Sequence, residues 1–460
     1  MAKQATVVIL AGGQGTRMKS RMAKVLHRAG GKALVEHAIE AALGIAPAER
    51  IFVVVGHQAD AVRSVAAAAG VGSIHQKEQL GTGHAVMCGE DQLIGLDGVL
   101  VVINGDCPMI RTESLSQLVD LFHSTGSGAS MITTDLDDPT GYGRIVREAN
   151  GDVRAIVEHK AASEEQRAIR EINAGFYCFD NAAFWKHVHE IRTDNPAGEY
   201  YLTDMVEILL RAGHRVTALK ILDSTELVGI NNKVELASAD RILRERTARK
   251  LMLEGVTIIK PETVTIDAGV QIGMDTIVEP FAQITGKTVI GEGCRIGASS
   301  IISDSVLGDD VEVFPFSVIS ACHLESKVHV GPFARLRMGA HLEHSSHVGN
   351  FVELKKTRLG AGSKSMHLAY LGDSVIGSKV NIGAGTITCN YDGKKKHQTR
   401  IGDGAFVGSN STLVAPLEIG AGAYIAAASA ITHEVPEKTL AVGRARQVLK
   451  PDWKPKSSDQ

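Results

Sequence analysis

The sequence predicts two fold classes in one chain: a doubly wound α/β domain, then a parallel β-helix, joined by a long helix. Three observations carry this. Unbroken β-branched runs alternate with helix-like stretches through the first half. A charge-laced stretch with helix-capping signals follows. From Ile266 onward, aliphatic residues return at every sixth position.

Each element can be justified in order. TVVIL near the N-terminus, IFVVV from Ile51 and VLVVI from Val99 show no polar alternation, which is how strands covered on both faces of a parallel sheet read. ALVEHAIEAAL and DAVRSVAAAA lie between them with helical character. Strand and helix in turn build a Rossmann-like, doubly wound sheet whose ligands sit beyond the carboxyl ends of the strands. Two such ends attract attention, LAGGQGTRM from Leu10 and NGD from Asn104. In NNKVELASADRILRERTARKLMLEG, Asn232 and Glu235 have the spacing of a capping box, and Gly255 supplies a stop. Beyond it, Ile266, Ile272, Val278, Ile284, Ile290, Ile296 and Ile302 keep an interval of six, as do Ile401, Val407, Leu413, Ile419, Ile425 and Ile431. A prism with three short strands per coil has that period, one aliphatic residue per hexad pointing inward. PDWKPKSSDQ reads as a loose polar tail. The expected bounds are 1–230, 231–255, 256–445 and 446–460.

Composition excludes several classes. A net charge of -3 with both signs scattered leaves no basic footprint, so no nucleic-acid partner is expected. Six dispersed cysteines without a C-x-x-C pair read as reduced thiols, which suits a cytoplasmic chain. The first strand begins where a signal peptide would lie, and no apolar run is long enough to cross a bilayer, so no membrane insertion is expected.

Chemistry concentrates in the stretches that break pattern. The glycine turn is not G-x-G-x-x-G, because Met18 stands where the third glycine should be, and it is not G-x-x-x-x-G-K-[ST]. Small residues still let backbone N–H groups approach a phosphate chain, while Arg17 can fork onto its oxygens and Lys24 adds a point charge. Two cations beside a triphosphate suit charge developing on departing pyrophosphate. Asp106, at a strand's carboxyl end, is a hard ligand suited to Mg²⁺; a plain Asn-Gly-Asp turn is the competing reading. In the second half NYDGKKKHQTR interrupts the hexads and must leave the prism as a loop. His367, in HLAY, could take a proton from an attacking amine, although among 18 histidines a structural role competes.

The motifs LAGGQGTRM, QLGTGHA, NGD, GYGRI, VEHK, INAG, GEYYLTD and GINN are followed in order by GPFARLR, NFVELKK, HLAYLGD, NIGAGTITCNYDG and FVGSN. Over nearly its whole length the chain therefore resembles a bacterial family, the bifunctional N-acetylglucosamine-1-phosphate uridylyltransferase/glucosamine-1-phosphate N-acetyltransferases. The resemblance implies a sugar-nucleotide pyrophosphorylase (nucleotidyltransferase) domain and a left-handed hexapeptide β-helix. It implies UTP, N-acetylglucosamine 1-phosphate, glucosamine 1-phosphate and acetyl-CoA as substrates, Mg²⁺ as cofactor, and a homotrimer.

The resemblance also implies residue roles. Leu10, Ala11, Gly12, Gly13, Gln76, Gly81 and Thr82, with Asn104, Gly105 and Asp106, would hold the nucleotide. Arg17 and Lys24 would act on the phosphates, Gly143, Glu158 and Asn173 would line the sugar, and Asp106 with Asn231 would hold Mg²⁺. His367 would be the general base. Arg337, Lys355, Tyr370 and Asn381 would bind the sugar phosphate, and Ala384, Asn390, Tyr391, Ser409, Ala427 and Arg444 would receive acetyl-CoA. The chain departs from the family pattern at Gly12, usually alanine, Gln14, often lysine, Ala23, usually proline, Asn104, usually tyrosine, and Met338, commonly proline. The alternative is a single-activity pyrophosphorylase whose β-helix regulates or assembles, which predicts no base on the solenoid. A non-catalytic binding subunit predicts loss of the phosphate cations.

Overall fold

The computed structural model describes residues 4–159, 162–195 and 197–454. The chain forms two units, Met1–Leu243 and Arg244–Gln460. Of the expected tail, residues 446–454 are exposed and 455–460 lie outside the described residues.

In the first unit the β-branched runs become β1 (Ala5–Leu10), β2 (Ile51–Val55), β3 (Gly72–His75) and β4 (Val99–Asn104). Next come β5 (Ala129–Asp135), the hairpin β6 (Arg144–Arg147) and β7 (Val153–Val157), then β8 (Glu171–Asp180) and β9 (Val216–Lys220). The sheet order is β9-β5-β8-β4-β1-β2-β3. β1 lies between β4 and β2, parallel to both, and its Val7, Val8 and Ile9 have no exposure. Helices Leu34–Leu43, Ala59–Ala68 and Thr112–Thr125 bury apolar faces, which puts glycine turns and polar residues at the strands' carboxyl ends. The sheet is mixed, not wholly parallel: β8 runs antiparallel to β4 and β5. Burial on both faces is what a β-branched run reports, and it is silent on direction.

The helix Lys233–Leu253 starts as its spacing predicts. Asn232 Oδ1 accepts from the Glu235 N–H at 2.9 Å, and the Glu235 carboxylate accepts from the Asn231 N–H at 2.6 Å. Gly255, at φ 99°, follows its end. Ala239 and Leu243 pack with Met18, Ala29 and Leu34 of the first unit, and Asp240 Oδ1 accepts from the Gly30 N–H at 2.8 Å.

The second unit is a prism of three parallel sheets with eleven, ten and nine strands. The hexad residues point inward and stack, Ile284 on Ile302, with neither exposed. The period slips after Ile302 although the coils continue, because Ile302 stacks on Ile319 and Leu354 on Leu371, seventeen residues on instead of eighteen. The missing residue always comes from one corner, at Asp304, Ala321, Lys356 and Asp373, each with positive φ. The long interruption leaves from the same corner: Thr388, buried at an inward position, pairs with Leu413, and the intervening chain contains the loop Asn390–Gln398. Among the described residues no helix is long and apolar enough to cross a membrane, and all six cysteines are free.

Candidate functional site

At the carboxyl ends of β1 and β4, a cavity of about 350 Å³ is lined by Leu10 to Gln14, Lys24, Gln76, Gly81, Thr82, Asn104 and Asp106. The sheet brings the two motifs side by side: Leu10 pairs with Asn104, and the Gly105 N–H donates to the Leu10 carbonyl at 2.9 Å. Gly15, at φ 61°, turns the loop into a short 3-10 helix that presents Arg17. Arg17 donates to Asn231 Oδ1 at 2.8 Å, and Lys24 Nζ bonds both the Asp106 carboxylate and Asn231 Oδ1. Residues more than 200 positions apart thus form one polar cluster. Its fixed members are a carboxylate and an amide oxygen, both aimed at a cation, which here is the Lys24 ammonium. Such hard oxygen donors suit Mg²⁺, which takes few protein ligands and keeps water and phosphate oxygens for the rest. No group of three or more His, Cys, Asp or Glu side chains placed to hold a metal ion occurs among the described residues.

Gln76 is buried beside the glycine turn and donates to the Gly81 carbonyl at 3.1 Å. Gly81, at φ 114°, leads into the helix Thr82–Met87, and Thr82 Oγ1 accepts from the Leu202 N–H. The sugar candidates also converge. The Asn173 N–H donates to the Gly143 carbonyl at 2.9 Å, and a side chain at Gly143 would crowd Glu158. Burial pushes the Glu158 carboxyl above its ordinary range. Asn173 Nδ2 donates to the Tyr177 hydroxyl at 2.7 Å, and Gly175, at φ 78°, marks a bulge in β8 that sets Asn173. Tyr177 lines an adjoining pocket with Asn104, Asn173 and Thr82, and sequence reasoning missed it because it reads as one more core aromatic in a strand.

The second unit divides its candidates between two corners of the prism. At one corner, Gly385 N donates to the His367 carbonyl, Asn410 N to that of Ala384, and Ala428 N to that of Ser409. Arg444 donates to the carbonyl of Ala427 at 2.6 Å. His367, Ala384, Ser409, Ala427 and Arg444 therefore form a column up successive coils. His367 Nδ1 bonds Asn350 Oδ1 at 2.8 Å, a partner the sequence did not flag. Oδ1 can only accept, so Nδ1 carries the proton and Nε2 is left as the basic nitrogen.

At the corner across the intervening sheet, Lys355 is buried and pairs with Asp373 at 3.1 Å, and Asn390 bonds the same carboxylate. Burial opposes ionisation of Asp373, yet its bonds to Lys355 and Asn390 hold the carboxyl below its ordinary range. Tyr370 folds over Gly372, where an added Cβ would lie 2.5 Å from its hydroxyl and 2.7 Å from Asn390 Nδ2. Arg337 is in register with Lys355 and pairs with Glu353 at 2.7 Å. Tyr391 stands exposed in the emerging loop. Asn381 sits on a different sheet, paired with Lys364 and Phe406, apart from the Lys355 cluster. Within one chain, then, His367 and the Arg337–Lys355 pair lie on opposite edges of one sheet, about 15 Å apart at the rise of a strand.

The departures have local accounts. A side chain at Gly12 would meet Gln76 Oε1 at 2.9 Å, so glycine suits this Gln76 placement. Asn104 Nδ2 donates to the Ala174 and Gly175 carbonyls, fastening β4 to the bulge. Met338 has φ 57°, a value closed to proline. Ala23 has φ −56°, which proline could adopt, but its N–H is engaged. Nothing in the structure explains Gln14.

Residues 6–224 match the nucleotidyl transferase family, residues 269–304 the bacterial transferase hexapeptide repeat, and residues 398–433 the hexapeptide repeat of succinyl-transferase. Over 453 residues the chain is 58% identical to the bifunctional protein GlmU of Solibacter usitatus, covering 98% of this chain and 97% of that one. Identity to the protein of the same name from Koribacter versatilis is 46% over 450 residues, 97% of this chain and 96% of the relative. The Geobacillus sp. protein of that name is 47% identical over 448 residues, again 97% and 96%. With an α/β nucleotidyltransferase unit followed by a hexapeptide β-helix and likeness along nearly the full length, the chain belongs to the bifunctional GlmU family.

Proposed function

We propose that the two units run consecutive steps of UDP-N-acetylglucosamine synthesis. The second unit acetylates glucosamine 1-phosphate from acetyl-CoA, and the first transfers UMP from UTP to the product, releasing pyrophosphate. The observation that carries the reading is the pair of built polar centres in one chain: Arg17, Lys24, Asp106 and Asn231 at the sheet edge, and the His367 column on the prism. The single-activity alternative predicts no base on the β-helix, and His367 with an oriented ring argues against it.

In the first unit Gln76 offers donor and acceptor to the uracil edge. Glu158 and Asn173 take the sugar's hydroxyl and acetamido groups. Arg17 and Lys24 meet the charge that builds on departing pyrophosphate, a gain realised in the transition state. Asp106 and Asn231 would hold Mg²⁺, whose charge would polarise the phosphoryl oxygens. In the second unit, the amine of glucosamine 1-phosphate attacks the thioester carbon. His367 Nε2 takes the amine proton, the C–N bond forms, and the C–S bond breaks with the proton passed to the departing thiolate. Arg337, Lys355, Tyr370 and Asn381 fix the sugar phosphate, and Asn390, Tyr391, Ala384, Ser409, Ala427 and Arg444 receive the coenzyme.

The separation of His367 from Lys355 on one sheet supports a homotrimer, in which one chain's base faces another chain's cations. The reaction's small, charged substrates suit the cytoplasm. The deciding experiment supplies glucosamine 1-phosphate, acetyl-CoA, UTP and Mg²⁺ together and looks for UDP-N-acetylglucosamine. Its absence while free thiol accumulates would remove the uridylyl step. No thiol release at all would remove the acetyl step.

A further inference from the structure

Between its glycine turn and Lys24 the nucleotide loop has to return to the sheet edge, and the structure shows what fixes that return at Ala23. The turn after β2, Gly56–Gln58, lies under both arms of the loop. On one arm the His57 N–H donates to the Gly12 carbonyl at 3.1 Å, and Gly56 is packed so closely that an added Cβ would lie 2.5 Å from that oxygen. On the other arm Gln58 uses both ends of its amide: Oε1 accepts from the Ala23 N–H at 2.8 Å, and Nε2 donates to the Arg21 carbonyl at 2.6 Å. Gln58 holds φ 52°, a left-handed conformation that costs a non-glycine residue energy and persists only where surroundings enforce it. Ala23 itself is buried at φ −56°, immediately before the short helix that begins with Lys24.

We infer that Gln58 is a positioning residue for uridylyl transfer, a bracket that fixes Arg21–Ala23 and so places the Lys24 ammonium beside the nucleotide phosphates. The inference rests on the phosphate role proposed for Lys24. A proline would restrict φ at position 23 through its ring; here an alanine is restrained from outside, by an amide that grips the backbone on both sides of Met22. An ordinary structural glutamine would stabilise the domain without favouring one substrate. A bracket instead controls where one cation stands, so its loss shows in the affinity for UTP.

The test uses the full chain and a variant free of backbone strain. Gln58→Gly removes the amide and relieves the left-handed conformation, so the melting temperature should hold or rise. The KM for UTP should still increase about tenfold, a misplacement effect, with the KM for N-acetylglucosamine 1-phosphate and the acetyl-transfer rate unchanged. Adding Ala23→Pro to Gln58→Gly should bring the UTP KM back to within about threefold of wild type, because the ring restores the φ restraint. Ala23→Pro alone should raise the UTP KM, since it places a ring against Gln58 Oε1 and deletes that oxygen's donor. A substitution harmful by itself and restorative in the second background is the signature expected of the bracket. An unchanged UTP KM in Gln58→Gly overturns the inference, as does a loss that Ala23→Pro fails to reverse. Lys24→Ala, measured alongside, separates the two levels: if it leaves uridylyl transfer intact, the proposed role of Lys24 fails before that of Gln58 is reached.

Discussion

Asp106 holds Lys24 and faces Asn231 at the edge where the phosphates are expected, so Asp106→Ala should lower uridylyl transfer by orders of magnitude while leaving acetyl transfer nearly unchanged. Parallel assays of both reactions on one preparation check this, and equal loss of both would point to misfolding instead. On the prism, His367→Ala should depress acetyl transfer by about 10²–10⁴-fold, the contribution of a positioned base. Asn350→Ala should cost less, because it frees the ring to rotate without removing it. A His367→Ala enzyme acetylating at near wild-type rate would make the histidine structural. Residues of this kind were legible to different degrees. Arg17, Lys24 and Asp106 stood out because a glycine turn and a strand end announce them. Asn350, Asp373 and Tyr177 did not, since each acts by gripping another side chain across a coil or a strand, and no local spacing records that.

The helix Leu34–Leu43 buries His37, whose Nε2 lies 2.8 Å from the Ala29 carbonyl. Burial holds the imidazole below its ordinary value of 6.5, with the Ala29 carbonyl opposing. The folded state therefore binds fewer protons than the unfolded chain just below that value, and stability present above pH 6.5 is lost as pH falls through the folded pKa. Within that window the slope contributed by one such group reaches about 1.4 kcal/mol per pH unit. His27, lowered by its own burial and by Lys233, acts in the same direction, so His37→Gln should shrink the acid-side slope without abolishing it. Urea unfolding followed by the fluorescence of buried Trp185 at several pH values would show this, and an unaltered slope would refute it. At this scale the sequence was most informative. Strand and helix existence followed from burial and capping, as at Asn232 and Glu235. The direction of β8 and the hairpin before it did not, because antiparallel pairing is settled by contacts distant in sequence.

The whole molecule carries two kinds of architecture, and the activities should separate along the chain. Ala239 and Leu243 pack with Met18 and Leu34, and Asp240 holds Gly30, so a chain ending after Leu253 should retain uridylyl transfer. One ending after Ile230 should lose it, together with Asn231 and that packing. Assays of the two truncations decide the matter, and equal activity would show the helix to be dispensable. The hexad period was readable only where coils hold eighteen residues, and it slipped where they hold seventeen. That slip has a consequence for how such a chain can change over time. From Ile266 onward every shortening, and the one long insertion, falls at a single corner of the triangular stack, while the other two keep their spacing. Inward side chains stay in line whatever happens there, so that corner is an editable margin. New loops, and with them new acceptors or donors of acyl groups, can be written into it without rewriting the text of the fold.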